Sequence, residues 1–258
     1  MSAELFSLKG KVVVITGATK GIGEGMASGL AQAGAELVIV HRAATDPSRA
    51  VKIYEALGAP KVHTIVADMS NDKEVDEILP QALKLSTTGT VDVLINNAGI
   101  TSRGPATDVT DQAWNDVLQV NLTTPFRLSR AFANYWIKEK KKGKIINTAS
   151  LYSFFGGTNV IPYTASKGAL HAVTKGLSNE WAPYGITVNS IVPGYIVTDM
   201  TEEGIIKNVK GEALLKRIPV GRWGNIDDFR GPTVFLASAA SDYLTGGTID
   251  VDGGFIAA

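Results

Sequence analysis

The 258-residue chain has no cysteine, which excludes disulfides, thiolate nucleophiles and zinc–thiolate sites together. Histidine is nearly as scarce: His41, His63 and His171 are the only three, a poor basis for a histidine metal cluster. No metal site is expected. There is no excess of either charge, with 25 basic and 25 acidic side chains, so no global field favours nucleic acid or an anionic membrane surface. No uninterrupted apolar run reaches the roughly 18 residues of a membrane span. The opening MSAELFSLKG lacks the charged-then-apolar layout of a secretory signal. Neither a nucleic-acid nor a membrane partner is expected, and a cytoplasmic location is. Any chemistry must come from hydroxyls, amines, carboxylates or a bound cofactor.

What the chain has is apolar material in short β-branched runs. Lys11–Thr16, Glu36–His41, Val62–Ala67, Val91–Asn96, Lys144–Thr148, Ile186–Val192 and Thr248–Val251 recur between longer helix-compatible segments. Runs such as VVVIT and VDVLIN are apolar on consecutive residues, the mark of parallel strands covered on both faces. Strand–helix–strand repetition implies right-handed crossovers, and so an α/β fold with a doubly wound parallel sheet of about seven strands flanked by helices. At 45% hydrophobic and this length, a single domain over residues 1–258 is expected. The basic run Lys138–Lys142 reads as a solvated helix end. Thr198–Pro219 has no strand pattern and lies between a strand and the last helix, so a substrate lid is expected at about residues 195–220.

After the first strand comes Gly17-Ala18-Thr19-Lys20-Gly21-Ile22-Gly23, followed by a helical pattern. Glycines let the backbone turn tightly and approach a pyrophosphate, whose charge is favoured at a helix N-terminus. The spacing, Gly-x-x-x-Gly-x-Gly, departs from the commoner dinucleotide fingerprint. The strand–turn–helix context is nevertheless that of a Rossmann-type site. Where such sites often place a carboxylate for the adenosine ribose, at the end of the second strand, this chain has His41 and Arg42. Arg42, helped by Lys20, suits a 2′-phosphate, so NADP(H) is expected over NAD(H). The alternative is that both are merely solvated surface residues.

Ser150 closes the fifth strand; Tyr163 opens a helical segment with Lys167 four residues on, one turn along the same face. An ordinary phenol is a poor proton acceptor near neutrality, but an adjacent ammonium stabilises its phenolate, and a strand-end hydroxyl can donate to a substrate oxygen. Alone, Tyr-x-x-x-Lys is a frequent chance pair.

Together these motifs resemble the short-chain dehydrogenase/reductase family over essentially the whole chain. The likeness rests on TGATKGIG, Asp68, NNAG at Asn96–Gly99, Asn121, Ser150, YTASK at Tyr163–Lys167, PGYIVT at Pro193–Thr198 and the closing DVDGG. The resemblance implies an oxidoreductase that interconverts a ketone and a secondary alcohol. Ser150 would polarise the substrate oxygen and Tyr163 transfer its proton. Lys167 would tune Tyr163 and hold the nicotinamide ribose, and Asn121 would hold a relay water. It further implies that Asp68 meets the adenine, that Asn97, Ala98 and Gly99 line the adenosine side, and that Pro193, Gly194, Ile196 and Thr198 border the carboxamide. Asn97, Asp68 and Asn121 each have a plainer reading, as strand cap, turn residue and helix interruption.

Within the family the chain is most similar to sugar-acid dehydrogenases, which implies a substrate such as 2-deoxygluconate or gluconate. Arg103 is placed to clamp a carboxylate. Tyr152, Phe154, Phe155 and Tyr195 would instead build an aromatic pocket for a bulky ketone, unless they serve the core or a subunit contact. A ketose or sugar-alcohol dehydrogenase and a non-catalytic dinucleotide sensor are the remaining alternatives. The family's habit implies a homo-oligomer, a tetramer or dimer.

Overall fold

The side chains of the first strand feed two opposite cores. In the computed structural model, which describes residues 2–199, 201 and 211–258, β1 spans Val12–Thr16. Val13 and Ile15 enter one core while Val12 and Val14 enter the other, as the two-residue period of a strand requires. The chain then alternates strand and helix: α1 Gly21–Gln32, β2 Glu36–His41, α2 Ser48–Ala56, β3 Val62–Val66, α3 Ile78–Leu85 and β4 Val93–Asn96. After β4 come α4 Asp111–Leu118, a π-helical turn at Gln119–Thr123, α5 Thr124–Lys138, β5 Gly143–Thr148 and α6 Ile161–Trp181. The described chain closes with β6 Ile186–Pro193, α7 Arg230–Ala237 and β7 Thr248–Val251.

All seven strands are parallel in the order β3-β2-β1-β4-β5-β6-β7. Every expected strand is present, with ends moved by no more than the two residues seen at β4. Met26 and Leu30 of α1, Tyr54 of α2 and Leu236 of α7 fill one face of the sheet. Ile78 of α3, Phe132 and Trp136 of α5 and Leu177 of α6 fill the other. The lysine run is the solvated end of α5, as expected.

The order decides where a ligand fits. From β1 the chain winds outward to β2 and β3, then returns to β4 on the other side of β1. The crossovers on either side of that switch diverge and leave a crevice at the carboxyl ends of β1 and β4. Of the expected lid, residues 200 and 202–210 lie outside the described residues. Its flanks, 195–199 and 211–220, border the same edge of the sheet, where Ile196 is bridged to Gly224.

Candidate active site

The glycine turn is shaped by what surrounds it. Gly17 and Gly21 have φ of +69° and +60°, the left-handed region that side chains resist. At Gly23 the limit is space, because a Cβ there would lie 2.2 Å from the Gly17 carbonyl oxygen and 2.5 Å from Asn97 Nδ2. Asn97 clamps the turn across the crevice, its Nδ2 donating to the carbonyls of Thr16 at 3.0 Å and Gly17 at 2.9 Å. The backbone N–H groups of Asn97 and Ala98 both donate to Thr16 Oγ1 at 3.0 Å. From behind, the Tyr54 hydroxyl donates to the Ala18 carbonyl. Lys20 caps α1 with extended backbone and no side-chain cap, which leaves the N–H groups of the helix start free to meet an anion.

At the end of the second strand the structure places Arg42, exposed, directly after β2. Asp68 follows β3 and accepts from the Ser70 backbone and hydroxyl at 2.8 and 2.7 Å. Those bonds, with a smaller pull from the charge of Arg42, hold its carboxyl below the usual range. Asp68 is thus a turn residue and a neighbour of Arg42 at once. Lys20 is engaged elsewhere, its Nζ lying 2.7 Å from Asp199.

The chemistry-bearing side chains converge beside this crevice. Ser150 is buried just past β5, and its Oγ accepts from Tyr152 N at 3.2 Å. Tyr163 and Lys167 share one face of α6, with Lys167 Nζ 5.7 Å from the centre of the Tyr163 ring. Lys167 is 3% exposed, and Nζ donates to the Thr148 carbonyl at 2.6 Å. Burial pulls its ammonium down to about 8. Burial pushes the Tyr163 phenol above its ordinary value, and hydrogen bonding to Ser150 and the charge of Arg103 draw it partly back.

Asn121 sits fully buried in the π-helical turn, a distortion frequent at functional sites. Its amide bonds Ile100 twice, accepting from N and donating to O, each at 2.8 Å, and donates to Ser166 Oγ at 3.1 Å. It therefore ties the loop after β4 to α6. A Cβ on Gly99 would approach Asn121 Oδ1 to 3.2 Å and Lys167 Nζ to 3.8 Å, so the three meet at one point. On the opposite wall, Gly194 packs so tightly that a Cβ would stand 2.5 Å from Asp252 Cα. Pro193 ends β6, Ile196 is buried, and the Thr198 methyl is 3.7 Å from where a Gly21 Cβ would lie.

A cleft of about 80 Å³ opens here, lined by Thr101, Arg103, Ser150, Tyr152, Tyr163 and Tyr195 among others. A larger hollow of about 380 Å³ lies beyond Tyr195 beside Arg222 and Asp252, away from Ser150 and Tyr163. The expected aromatic pocket is not formed as such. Phe154 does not line the cleft; it is 44% exposed, and its ring leans on His171 at a tilt, centroids 4.9 Å apart. Phe155 does not line it either, backing Tyr152 at 5.5 Å and Phe255 at 6.0 Å. Both rings, just past the short 3₁₀ turn Leu151–Ser153, are partly exposed, so of the four expected aromatics only Tyr152 and Tyr195 join Tyr163 in the wall. Thr16 and Thr201, whose hydroxyl donates to the Ile196 carbonyl, escape sequence reasoning. A hydroxyl residue between a strand and a glycine is the one signal that Thr16 offered.

The family model for short chain dehydrogenases matches residues 11–207. The chain is 43% identical over 257 residues to the 2-dehydro-3-deoxy-D-gluconate 5-dehydrogenase of Dickeya dadantii, with 100% of both chains covered. It is 38% identical to the gluconate 5-dehydrogenase of Gluconobacter oxydans, covering 97% of this chain and 96% of that one. Among solved structures, it is similar to a gluconate 5-dehydrogenase from Burkholderia cenocepacia in complex with NADP and tartrate. The TM-score is 0.90 at 35% identity, over 100% of each chain.

Proposed function

The chain belongs to the short-chain dehydrogenase family, and from that premise we propose that it interconverts a secondary alcohol and a ketone on a sugar acid, with NADP(H) as hydride carrier. One observation carries the reading: Arg103, Ser150 and Tyr163 face a single small cleft at the carboxyl edge of the sheet, beside the glycine turn. Arg103 takes the carboxylate of the substrate, and its planar fork suits that group. Neutral ketoses lack this handle. A bulky aromatic ketone loses the two rings that point away.

The residues present fit a dinucleotide with a 2′-phosphate. The turn is open where a pyrophosphate would lie, since only Thr198 stands near the Cβ position of Gly21 and no side chain caps the N–H groups at the start of α1. The end of β2 is basic at Arg42 and carries no carboxylate. Thr19, Lys20 and Ile22 complete the turn; Asp68 would border the adenine, and Asn97, Ala98 and Gly99 would flank the adenosine side. Pro193, Gly194, Ile196 and Thr198 would flank the carboxamide. When bound, the nicotinamide supplies or accepts the hydride.

The chain's own side chains handle the proton. Ser150 donates to the substrate oxygen and holds it against Tyr163. With its value raised by burial, Tyr163 is a neutral phenol at pH 7 and gives its proton to that oxygen during reduction; in oxidation it takes the proton back. Lys167, at about 8, is an ammonium at pH 7 and favours the phenolate as it forms. Asn121 shapes the far end of this group and positions the relay water. With NADP(H) as the carrier, carbonyl reduction is the expected direction in the cell, because that cofactor pool is generally kept reduced.

We further propose a cytoplasmic homotetramer. Among the described residues no helix is long and apolar enough to cross a membrane, and Trp114, Phe126, Phe154 and Ile161 present apolar surface of the kind subunit contacts cover. The test of function follows NADPH oxidation with keto sugar acids, neutral ketoses and aromatic ketones. Tyr163→Phe is expected to lower kcat by about 10²–10⁴, the range of general acid catalysis. Arg103→Gln should raise KM for the acid alone. Equal turnover of a neutral ketose would overturn the sugar-acid reading.

A further inference from the structure

We propose that Asp199 tunes selectivity between cofactors with and without a 2′-phosphate by competing for the ammonium of Lys20; this rests on the NADP(H) reading above. Lys20 stands at the start of α1 without capping it. Its Nζ instead reaches across the crevice to Asp199 Oδ2 at 2.7 Å, joining residues 179 positions apart. The segment that carries Asp199 rides on the glycine turn, with Thr198 in contact range of Gly21. Both charged side chains are exposed, at 71% and 78%, so either is free to exchange partners. Asp199 takes part in no other ion pair among the described residues, and Lys20 holds its carboxyl well below the usual range. It is therefore an anion at every working pH.

A lysine ammonium is a compact point charge that a phosphate attracts more strongly than a single carboxylate does. When a 2′-phosphate arrives between Arg42 and Lys20, Lys20 must leave Asp199 or share its charge between the two anions, a competition that salt screens. A cofactor with free ribose hydroxyls asks for no such exchange. Asp199 thus weakens binding of the phosphorylated form alone. For an exposed pair the expected effect is about 1.5- to 5-fold in affinity, and it shrinks with salt.

The test is a double-mutant cycle on the full-length protein: wild type, Asp199→Asn, Lys20→Ala and the double variant. Dissociation constants for NADPH and NADH are read by fluorescence titration at ionic strengths of about 0.01 M and about 0.15 M, where screening lengths are roughly 30 and 8 Å. Thermal melting checks that all four are folded. Asp199→Asn is expected to tighten NADPH about 1.5- to 5-fold at low salt, to leave NADH unmoved, and to lose its effect in the Lys20→Ala background. An unchanged or weakened NADPH affinity overturns the proposal, as does an equal gain for both cofactors or a gain that persists without Lys20. Wild type that binds NADH as tightly as NADPH overturns the cofactor reading itself, a separate result.

Discussion

Gly23→Ala tests whether the glycine turn is built around the clamp from Asn97. The added Cβ would lie 2.2 Å from the Gly17 oxygen, 2.5 Å from Asn97 Nδ2 and 3.0 Å from Ala18 Cα. Heavy atoms at ordinary van der Waals separation sit about 3.5 Å apart, so the turn and Asn97 must separate by roughly 1 Å. The bond from Asn97 Nδ2 to Gly17 O, now 2.9 Å, would pass the limit for a hydrogen bond. Overpacking costs about 1–3 kcal/mol and the lost bond about 1 kcal/mol, together roughly 2–4 kcal/mol. For a domain of this size that lowers Tm by roughly 4–16 °C. The decisive assay is melting with and without NADP. At about 100-fold excess over Kd, ligand adds about 2.7 kcal/mol to the wild type, and the variant should lose most of that gain because its N–H groups no longer converge. An unchanged Tm with a full NADP-dependent rise would refute the reasoning. Gly176→Ala is the control: nothing lies within 4 Å of its Cβ position, and alanine in a helix interior is favoured by about 1 kcal/mol.

Two further perturbations separate the site from its scaffold. Burial sets Lys167 at about 8 against an ordinary 10.5, so between those values the unfolded chain binds more protons than the folded one, and stability rises with pH across that window. Denaturant titrations from pH 7 to about 10.5 should show this rise in wild type and its absence in Lys167→Met; parallel curves would count against it. At the opposite end of the sheet, buried Glu36 accepts from Thr87 N at 2.8 Å and the Thr87 hydroxyl, and meets His63 Nε2 at 3.2 Å. Glu36→Ala should cost about 2 kcal/mol, as bonds to a charged acceptor do, with kcat unchanged. A loss under about 0.5 kcal/mol would show that water replaces the carboxylate there.

The strands were legible because a parallel sheet covered on both faces demands consecutive apolar residues, and few other structures do. The glycine turn was legible for a related reason: its backbone conformation and clearance at Gly17, Gly21 and Gly23 leave little choice of residue. Ser150, Tyr163 and Lys167 were legible as types and spacings. The aromatic wall was not. Whether Phe154 and Phe155 face the cleft depends on the rotation of the three-residue turn Leu151–Ser153, and no periodicity exists over so short a stretch to report it.

Asn97 shows why a motif underdetermines its own role. A strand-end position and a place against the glycine turn look exclusive in sequence but coincide in space. The side chain spends both amide hydrogens on Thr16 and Gly17, while the backbone of the next residues borders the crevice that those bonds hold open. Asn121 sits in the π-helical turn, and its amide anchors Ile100, the residue after the Gly99 that borders Lys167. Lys20 is the converse. Its local sequence says only that it is basic and lies in the turn; its partner, Asp199, is 179 residues away. The pairing is one that neither local segment announces, and it becomes visible only once the fold has brought the segment after β6 over the start of α1.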